Sequence, residues 1–457
     1  MTDISRRSFL AASSAAAFPA LPGAATASRK PNFIIFLCDD LGSHDPGFRG
    51  AKDTETPNID ALAASGAQFT DWYSNAPVCA PSRGALMTGR YPIRNGLVNN
   101  GMPLRPSEKT IASVLKPAGY ATAAIGKWHL GSTPETVPNS HGFDYYFGFH
   151  DGCTDYYSHR FYWGEPKRVN FHDLWRNREE VFEDGQYLTE SLAREAKAFV
   201  HAHKSDPFFL YVPFNAVHYP MHAPNKYVER FPKLGKERQM YAAMLSAADD
   251  AIGGIMGAVK SEGLLENTLV FFTSDNGATT EARAGLNQQP ADGGDNGQFR
   301  GFKFSLFDGG MHMPAVLSWP GVIPERQTIH EIGMHMDILP TFAKAAGVDL
   351  PSDRIIDGHD ILPMAKAEAK SPHQTIFWSS SGQLAARRGY WKLVINGKTF
   401  DRTPQGKQAL TGDDALFLSN LDDDVGETHN LRHDHTDMVN NLEQATHAWV
   451  KDCEQNQ

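Results

Sequence analysis

The segment Asn32-Phe33-Ile34-Ile35-Phe36-Leu37-Cys38-Asp39-Asp40 begins as an uninterrupted apolar run and ends in two carboxylates. Such a run is typical of a strand that is buried on both faces of a parallel sheet. The run Thr268-Leu269-Val270-Phe271-Phe272-Thr273 has the same character and is followed by Ser274-Asp275-Asn276-Gly277. Because parallel strands end at one edge of a sheet, where ligands bind in α/β proteins, we expect the two polar ends to meet.

Helix and strand patterns alternate outward from these two runs. Thr56 and Pro57 are typical of the N-cap and first residue of a helix. This alternation predicts an α/β fold with a large, mostly parallel sheet flanked by helices. Beyond residue 370 the pattern changes to short strands, so we predict one large domain over 28–369 and a small C-terminal α+β domain over 370–457. The other predicted strands span 120–125 and 208–212, and the other helices span 111–115, 187–203 and 238–260.

The composition argues against several classes of protein. The chain has 43 Lys and Arg against 53 Asp and Glu, a formal net charge of −10. This charge disfavours a nucleic-acid binder and a polybasic membrane anchor, since both need a basic surface. Four cysteines in 457 residues are too few for a scaffold held by disulfides.

The N-terminus has the features of an export signal. Ser5-Arg6-Arg7-Ser8-Phe9-Leu10 leads into an Ala-rich stretch that ends in Ala25-Thr26-Ala27, with small residues suited to signal peptidase. The pattern resembles a twin-arginine signal, which implies the twin-arginine export machinery as a partner. We therefore predict a signal peptide over 1–27, a periplasmic or secreted bacterial protein, and no membrane span in the mature chain.

The polar strand ends have the chemistry of a metal site. Adjacent carboxylates repel each other unless a positive charge lies between them. Asp39, Asp40, Asp275 and Asn276 offer only oxygen or amide donors, and this ligand set favours Ca²⁺ or Mg²⁺ over zinc.

A twelve-residue motif carries the strongest signal in the chain. It reads Cys79-Ala80-Pro81-Ser82-Arg83-Gly84-Ala85-Leu86-Met87-Thr88-Gly89-Arg90, and Tyr91-Pro92 follows it. The motif resembles the signature of the type I, cysteine-type sulfatases. Four further segments match that family in order: Gly126-Lys127-Trp128-His129-Leu130-Gly131, Asn215-Ala216-Val217-His218-Tyr219-Pro220, Arg300-Gly301-Phe302-Lys303, and Arg387 to Leu393.

The resemblance implies an alkaline-phosphatase-like sulfatase fold and a sulfuric ester hydrolase. It implies that a maturation enzyme oxidises Cys79 to formylglycine, whose hydrated form has two geminal hydroxyls. One hydroxyl would attack sulfur, and the other would expel sulfate as the aldehyde forms again. Ca²⁺, ahead of Mg²⁺, would be the cation. The resemblance assigns metal binding to Asp39, Asp40, Cys79, Asp275 and Asn276, and catalysis to Cys79, Arg83, Lys127, His129, His218 and Lys303.

Within those catalytic roles, Arg83 and Lys127 would stabilise the diol, and His129 would be the base for its second hydroxyl. His218 and Lys303 would bind sulfate and protonate the leaving oxygen. The chain departs from the family pattern at Phe302, Phe304, Asp308 and His312, which we expect to reshape one wall of the pocket.

The segment 141–159 resembles the corresponding region of the N-acetylgalactosamine-4-sulfatases, the arylsulfatase B group. This resemblance implies a sulfated mono-, oligo- or polysaccharide as the substrate of a bacterial carbohydrate sulfatase. Aromatic side chains beside polar groups suit sugar rings. The candidate substrate-binding residues are His150, Asp151, Tyr156, His159, Arg160 and His222.

Two other functions remain open at this point. A phosphate or phosphonate ester hydrolase would share the superfamily fold, but such enzymes commonly use Ser or Thr as the nucleophile. A non-catalytic glycan-binding protein would keep Cys79 as a thiol.

Overall fold

The computed structural model describes residues 29–162, 170–286, 291–402 and 407–457. The predicted signal peptide, residues 1–27, lies outside these ranges. The strands up to residue 334 are β1 Asn32–Cys38, β2 Ala67–Phe69, β3 Trp72–Tyr73, β4 Ala121–Lys127, β5 Tyr145–Phe149, β6 Trp175–Arg176, β7 Glu179–Glu180, β8 Phe208–Pro213, β9 Thr268–Ser274, β10 Ala315–Ser318, β11 Gln327–Ile329 and β12 Gly333–Met334. The later strands are β13 Ile376–Ser380, β14 Gln383–Arg388, β15 Trp391–Ile395, β16 Lys398–Phe400, β17 Lys407–Ala409 and β18 Leu416–Asn420.

The helices follow the predicted pattern closely. Thr56 is the N-cap of α1, and Pro57 is its first residue, as expected. The helices are α1 Pro57–Ala64, α2 Cys79–Thr88, α3 Pro92–Asn95, α4 Ile111–Leu115, α5 Leu188–Ala202, α6 Asn225–Val228, α7 Lys236–Ser261, α8 Asp308–Met311, α9 Ile338–Ala346, α10 Leu362–Ala365 and α11 Thr436–Gln455.

One ten-stranded sheet organises the chain, in the order β11-β2-β10-β9-β1-β8-β4-β5-β6-β7. Its centre, β9-β1-β8-β4-β5, is parallel, whereas β10 and β6 run antiparallel to their neighbours. The predicted parallel sheet is therefore confirmed at the centre, and its edges are mixed. In this register Cys38 lies beside Ser274, so Asp39 and Asp275 leave the sheet together.

Alternation along β1 explains how the sheet holds helices on both faces. Ile34 and Phe36 pack into the core beneath α5 and α7. Phe33, Ile35 and Leu37 face the other core, where the ring of Phe33 stacks on Phe342 of α9 at 4.5 Å. Complete burial of each of these side chains stabilises the fold by about 1.5–3 kcal/mol.

Helix α7 is a core helix on one face of the sheet. Within the described ranges it is the one helix long and apolar enough to cross a membrane by length and composition. Of its most apolar window, 72% is buried inside the fold.

The C-terminal region contains a second, antiparallel sheet, β13-β14-β15-β18, with α11 packed against it. The short strands predicted beyond residue 370 are confirmed. The region lies against the larger part of the chain, since the Trp378 indole donates to the Ser74 carbonyl at 2.8 Å and Trp449 packs on Tyr91. The boundary at residue 370 stays a prediction.

Candidate active site

Four segments meet at the carboxyl edge of the central sheet. Asp39 follows β1 and donates its backbone N–H to the Ala216 carbonyl beyond β8 at 2.9 Å. Asp40 donates its N–H to Asp275 Oδ1 beyond β9 at 3.2 Å. Lys127 ends β4. The expected convergence of the polar strand ends is confirmed, and all these side chains are buried.

Cys79 is the first residue of α2 and lies against this edge. Its side chain is 1% exposed, and its Sγ lies 3.6 Å from Asp39 Oδ1. Burial raises the pKa of the Cys79 thiol well above its ordinary value. Because a thiol must ionise to become a strong nucleophile, unmodified Cys79 is poorly suited to attack an ester. The helix start adds positive partial charge for an anion.

Arg83 fixes the floor of the site. Its Nε and Nη2 donate to Asp275 Oδ2 at 2.9 and 2.7 Å, and its Nη1 donates to the Lys127 carbonyl at 3.3 Å. Its Nη2 also lies 3.5 Å from Asp39. Arg83 and Asp275 are fully buried. Arg83 therefore ties α2 to the ends of β4 and β9 and has little freedom to contact a substrate.

Replacing Arg83 by Gln is expected to lower the free energy of unfolding by about 3–5 kcal/mol, since Asp275 would keep a buried charge without its cation. Urea denaturation measures this loss. Exposed Arg160→Gln is the control, with an expected change within about 0.5 kcal/mol. A loss at Arg83 no larger than the control's would contradict the assigned role.

Two buried lysines complete the charge pattern. Lys127 Nζ bonds Asp39 Oδ2, and Lys303 Nζ lies 2.8 Å from Asp40 Oδ1. Burial opposes the ionisation of Asp39, yet Lys127, Arg83 and Lys303 together lower its pKa. Burial and the neighbouring carboxylates raise the pKa of Asp40 to about 7 although Lys303 opposes the rise.

The site fits a divalent cation. Asp39, Asp40, Cys79 and His218 each place one ligand atom within 4.8 Å of the others, and all four are buried. The Asn276 side chain donates its amide to Asp40 Oδ1 at 2.7 Å, while its buried Oδ1 has no hydrogen-bond partner among the described residues. An unpartnered buried oxygen beside two carboxylates matches the donor set of a hard cation.

Two histidines, His129 and His218, lie at the active centre formed by the buried carboxylates, lysines and Cys79. His218 Nδ1 lies 2.8 Å from the Tyr219 carbonyl, so this nitrogen carries the proton, and Nε2 lies 3.7 Å from Asp40. Burial, Lys303 and Lys127 hold the pKa of His218 well below its ordinary value, and burial with Lys127 does the same for His129. A lowered pKa favours the neutral form of both rings, in which one ring nitrogen can accept a proton. His218 would need to gain a proton at Nε2 before it could serve as the predicted acid.

A cleft of about 320 Å³ opens onto this centre. Of the predicted catalytic residues, Cys79, His129, His218 and Lys303 line it. Asp151 and Phe304, also singled out from the sequence, line it too, and the sequence interpretation missed the other lining residues. Tyr219 follows His218 in the quoted motif and could have been included, whereas the others carry no local signal. The missed residues are Asn100, Gly101, Gly152, Cys153, Phe161, Tyr219, Glu281 and Arg283.

Among the six predicted substrate-binding residues, Asp151 lines the cleft and the other five do not. The ring of His150 is buried between Tyr146 and Trp175. Tyr156 is fully buried and donates its hydroxyl to the carbonyls of Asn215 and His218, so it supports the His218 loop from below.

The remaining three lie in the loops around residues 155–186. His159 is buried and contacts the Gln186 carbonyl at 3.1 Å. Arg160 is exposed, and His222 lies 3.4 Å from Asp155. None of these five side chains lines the cleft, because packing and local bonds use them or place them elsewhere, and their contact with a substrate stays a prediction.

Some of the residues that depart from the family pattern line the cleft, and others do not. Phe304 lines the cleft, as expected. Asp308 instead pairs with Lys392 at 2.5 Å, and His312 stacks on Phe299. Neither these two residues nor Phe302 lines the cleft, so the effect of these three on its wall stays a prediction.

These observations define a class. Buried carboxylates, lysines and histidines meet at the carboxyl edge of an α/β sheet, beside a helix start, as in a hydrolase that acts on anionic esters with a metal ion. The chain belongs to the sulfatase family, since the Sulfatase family model matches residues 31–348. It is accordingly a sulfuric ester hydrolase, which excludes the non-catalytic glycan-binding protein as an alternative.

Relatives and solved structures agree with this membership. The chain is 36% identical to mouse N-acetylgalactosamine-6-sulfatase over 397 residues, covering 81% of this chain and 73% of the relative. It is 34% identical to human arylsulfatase A over 456 residues, which cover 90% of this chain and 85% of the relative. The crystal structure of Ps i-CgsB with k-i-k-neocarrahexaose is 32% identical, covers 94% of both chains and has a TM-score of 0.82. The expected sulfatase fold is confirmed.

Proposed function

We propose that this protein removes sulfate from a sulfated carbohydrate, using a formylglycine made from Cys79 and a divalent cation, Ca²⁺. The observation that carries the proposal is the position of Cys79. It begins α2, lies among buried carboxylates, lysines and histidines, and lines the cleft. A formylglycine-generating or equivalent maturation enzyme would have to act on Cys79 before catalysis.

Formylglycine at residue 79 would supply a hydroxyl nucleophile for sulfur. A cation held by Asp39, Asp40, Asp275 and Asn276 would screen the sulfate charge and lower the pKa of that hydroxyl.

The chain's own residues would handle the other charges. Lys127 is bonded to Asp39 and would hold that carboxylate in place beside residue 79. His129, neutral and lining the cleft, would accept a proton from the second hydroxyl. Lys303 and His218 line the cleft and would bind sulfate oxygens, and His218 Nε2 is the atom that would carry a proton to the leaving oxygen.

The charge inventory of the centre supports an anionic substrate. Three buried cations, Arg83, Lys127 and Lys303, face three carboxylates, Asp39, Asp40 and Asp275. A bound dication would therefore leave an excess of positive charge among these buried groups, where charge interactions are strong. A sulfate ester would neutralise part of that excess.

A sulfated carbohydrate is supported by the relatives and by the lining of the cleft. One relative is a sulfatase of N-acetylgalactosamine 6-sulfate by name, and the Ps i-CgsB structure holds a neocarrahexaose. The cleft combines aromatic side chains, Phe161, Tyr219 and Phe304, with carboxylates and an amide that suit sugar hydroxyls. The likeness to the arylsulfatase B group stays a prediction.

Sulfate release from a panel of sulfated mono- and oligosaccharides tests the proposal. We expect hydrolysis of at least one sulfated sugar, and much weaker hydrolysis of matched phosphate and phosphonate esters. Release of phosphate or phosphonate without any release of sulfate would instead favour a phosphate or phosphonate ester hydrolase.

Asp151 is the one residue of the predicted substrate set that the structure keeps in the cleft. Asp173 accepts the backbone N–H groups of His150 and Asp151 at 3.1 and 2.9 Å, which fixes this turn. No hydrogen bond to the Asp151 carboxylate comes from the described residues, and burial with Asp173 raises its pKa to about 6. A carboxylate in this position suits hydroxyl or amide N–H donors of a sugar.

Replacing Asp151 by Asn is expected to lower kcat/KM for a sulfated sugar about tenfold, the loss of one charge-assisted hydrogen bond. Hydrolysis of p-nitrophenyl sulfate, which has no hydroxyl donors, should stay within about twofold. Steady-state kinetics on both substrates measure the difference. An equal loss on both would contradict a sugar contact.

We also propose that the protein is exported to the periplasm or beyond by the twin-arginine-type signal. The pair Arg6-Arg7 supports this proposal. Replacing both by Lys should leave the protein in the cytoplasmic fraction, and unchanged export would contradict it.

A further inference from the structure

The segment from Arg300 to Asp308 carries Lys303 and is held on one side by the elements of the active site. Lys303 donates its backbone N–H to the Ala278 carbonyl at 2.9 Å, and Phe304 donates to the Pro77 carbonyl at 2.8 Å. These bonds join the segment to the loops after β9 and before α2. The backbone of Phe304 has a φ of 76°, in the left-handed region that residues other than glycine rarely adopt. Such a conformation persists where the surroundings hold it.

The C-terminal region holds the other side of the same segment. The buried Gln383 amide donates Nε2 to the Phe304 carbonyl at 2.9 Å, while its Oε1 accepts the Lys398 backbone N–H at 2.9 Å. The Ser305 hydroxyl donates to the Lys398 carbonyl at 3.0 Å. Gln383 is 1% exposed and thus bridges β14, the start of β16 and the residue next to Lys303.

A buried charge cluster anchors the far end of the segment. Asp308 donates its N–H to Glu427 Oε2 at 2.6 Å, and Lys392 Nζ lies 2.5 Å from Asp308 and 3.0 Å from Glu427. Arg300 donates to the Glu427 carbonyl at 2.7 Å. These charges are poor test sites, because removal of one would leave its buried partners uncompensated.

We propose that Gln383 is a positioning residue for Lys303, through which the C-terminal region sets the geometry of the sulfate-binding lysine. The inference rests on the proposed function, in which Lys303 binds a sulfate oxygen. Gln383 acts one residue away, on the carbonyl of Phe304, the strained residue that follows Lys303. Without this donor, the buried Phe304 carbonyl loses its partner from β14, and the segment that carries Lys303 is held less firmly relative to Asp40 and the cleft.

The test is a double-mutant cycle on p-nitrophenyl sulfate, with formylglycine content checked by mass spectrometry in each variant. Gln383→Leu removes the bonds to Phe304 and Lys398 together with a longer one to the Ser380 carbonyl at 3.4 Å, and Gln383→Glu keeps the acceptor for Lys398 but loses the donor to Phe304. Both should lower kcat/KM about 10- to 100-fold, the range associated with misplacement of a group by about 1 Å. Lys303→Ala alone should lower it by about 10²–10³-fold.

The decisive result is the double variant. If Gln383 acts through Lys303, then Gln383→Leu in the Lys303→Ala background should cost less than about threefold, since residues that act as a unit are not additive. Full additivity would overturn the proposal. Thr446→Val, which removes a buried hydroxyl of α11 bonded to Leu442, controls for a general loss of stability and should keep wild-type kinetics.

The proposed sulfatase function and the positioning role of Gln383 would fail with different experimental results. A matured wild-type protein that releases no sulfate would overturn the proposed function and the positioning role with it. An active wild type whose Gln383 variants fold, mature and retain wild-type rates would overturn the positioning role alone.

Discussion

The Cys79→Ala variant is expected to have no measurable sulfatase activity, with kcat reduced by at least about 10⁴-fold, the scale of losing a covalent nucleophile. The structure gives the physical reason. Residue 79 lines the cleft and is 1% exposed, beside Asp39 and in the same buried cluster as Asp40 and His218. A methyl group there would leave the carboxylates and lysines in place but remove the one atom positioned to attack sulfur.

The same geometry predicts that the unmodified thiol is also inactive. Burial raises the pKa of Cys79, and Asp275 and Asp39 oppose its ionisation further, although Lys127 and Lys303 act the other way. Protein produced without a maturation enzyme should therefore fold normally and release no sulfate. Co-expression with a formylglycine-generating enzyme should restore the activity.

Mass spectrometry of the peptide that contains residue 79, paired with sulfate release, measures both expectations. The activity of different preparations should rise in proportion to their aldehyde content. Cys453→Ala is the matched control, because Cys453 is equally buried but lies on α11, and it should retain activity. Full activity in a preparation whose residue 79 is wholly thiol would falsify the formylglycine proposal.

The centre of the fold and site was predictable because its signals are local. An apolar run followed by acids identifies β1 and β9 with their polar ends, and parallel pairing then brings Asp39 and Asp275 together. The motif that begins at Cys79 coincides with the start of α2. In these cases the residue type, its neighbours in sequence and the general geometry of parallel sheets were sufficient.

The rim of the cleft was not predictable for the opposite reason. The aromatic residues after β5 suggested a sugar site, but Tyr156 and His150 satisfy the packing of the core instead. Which side of a loop faces the cleft depends on distant contacts, such as the hydrogen bond that the Ala80 N–H donates to Asn100 Oδ1. The bond between Gln383 and Phe304 joins positions 79 residues apart, and no local pattern reveals it.

The second large effect expected is the loss of activity on removal of the divalent cation. Treatment with EGTA should abolish sulfate release and lower the melting temperature, and added Ca²⁺ should restore both more effectively than Mg²⁺. A cation at 100 times its dissociation constant stabilises the folded state by about 2.7 kcal/mol. The expected response follows from the buried Asp39, Asp40 and Asn276, whose oxygens would lose a shared positive partner.

Substitutions of the proposed metal ligands separate the effect of losing the cation from a general effect of the chelator on the protein. In Asp40→Asn and Asn276→Ala, the rise in melting temperature should need at least a tenfold higher Ca²⁺ concentration than in the wild type, because each variant removes a proposed ligand. Asp249→Asn is the control, since buried Asp249 accepts bonds from Asn58 and Ile59 and is not a proposed ligand, and it should keep the wild-type response. Elemental analysis must accompany the assay. Metal-free protein that hydrolyses sulfate esters at the full rate would contradict the cation's role, whereas a Ca²⁺ response lost only in the ligand variants would support these two residues as ligands.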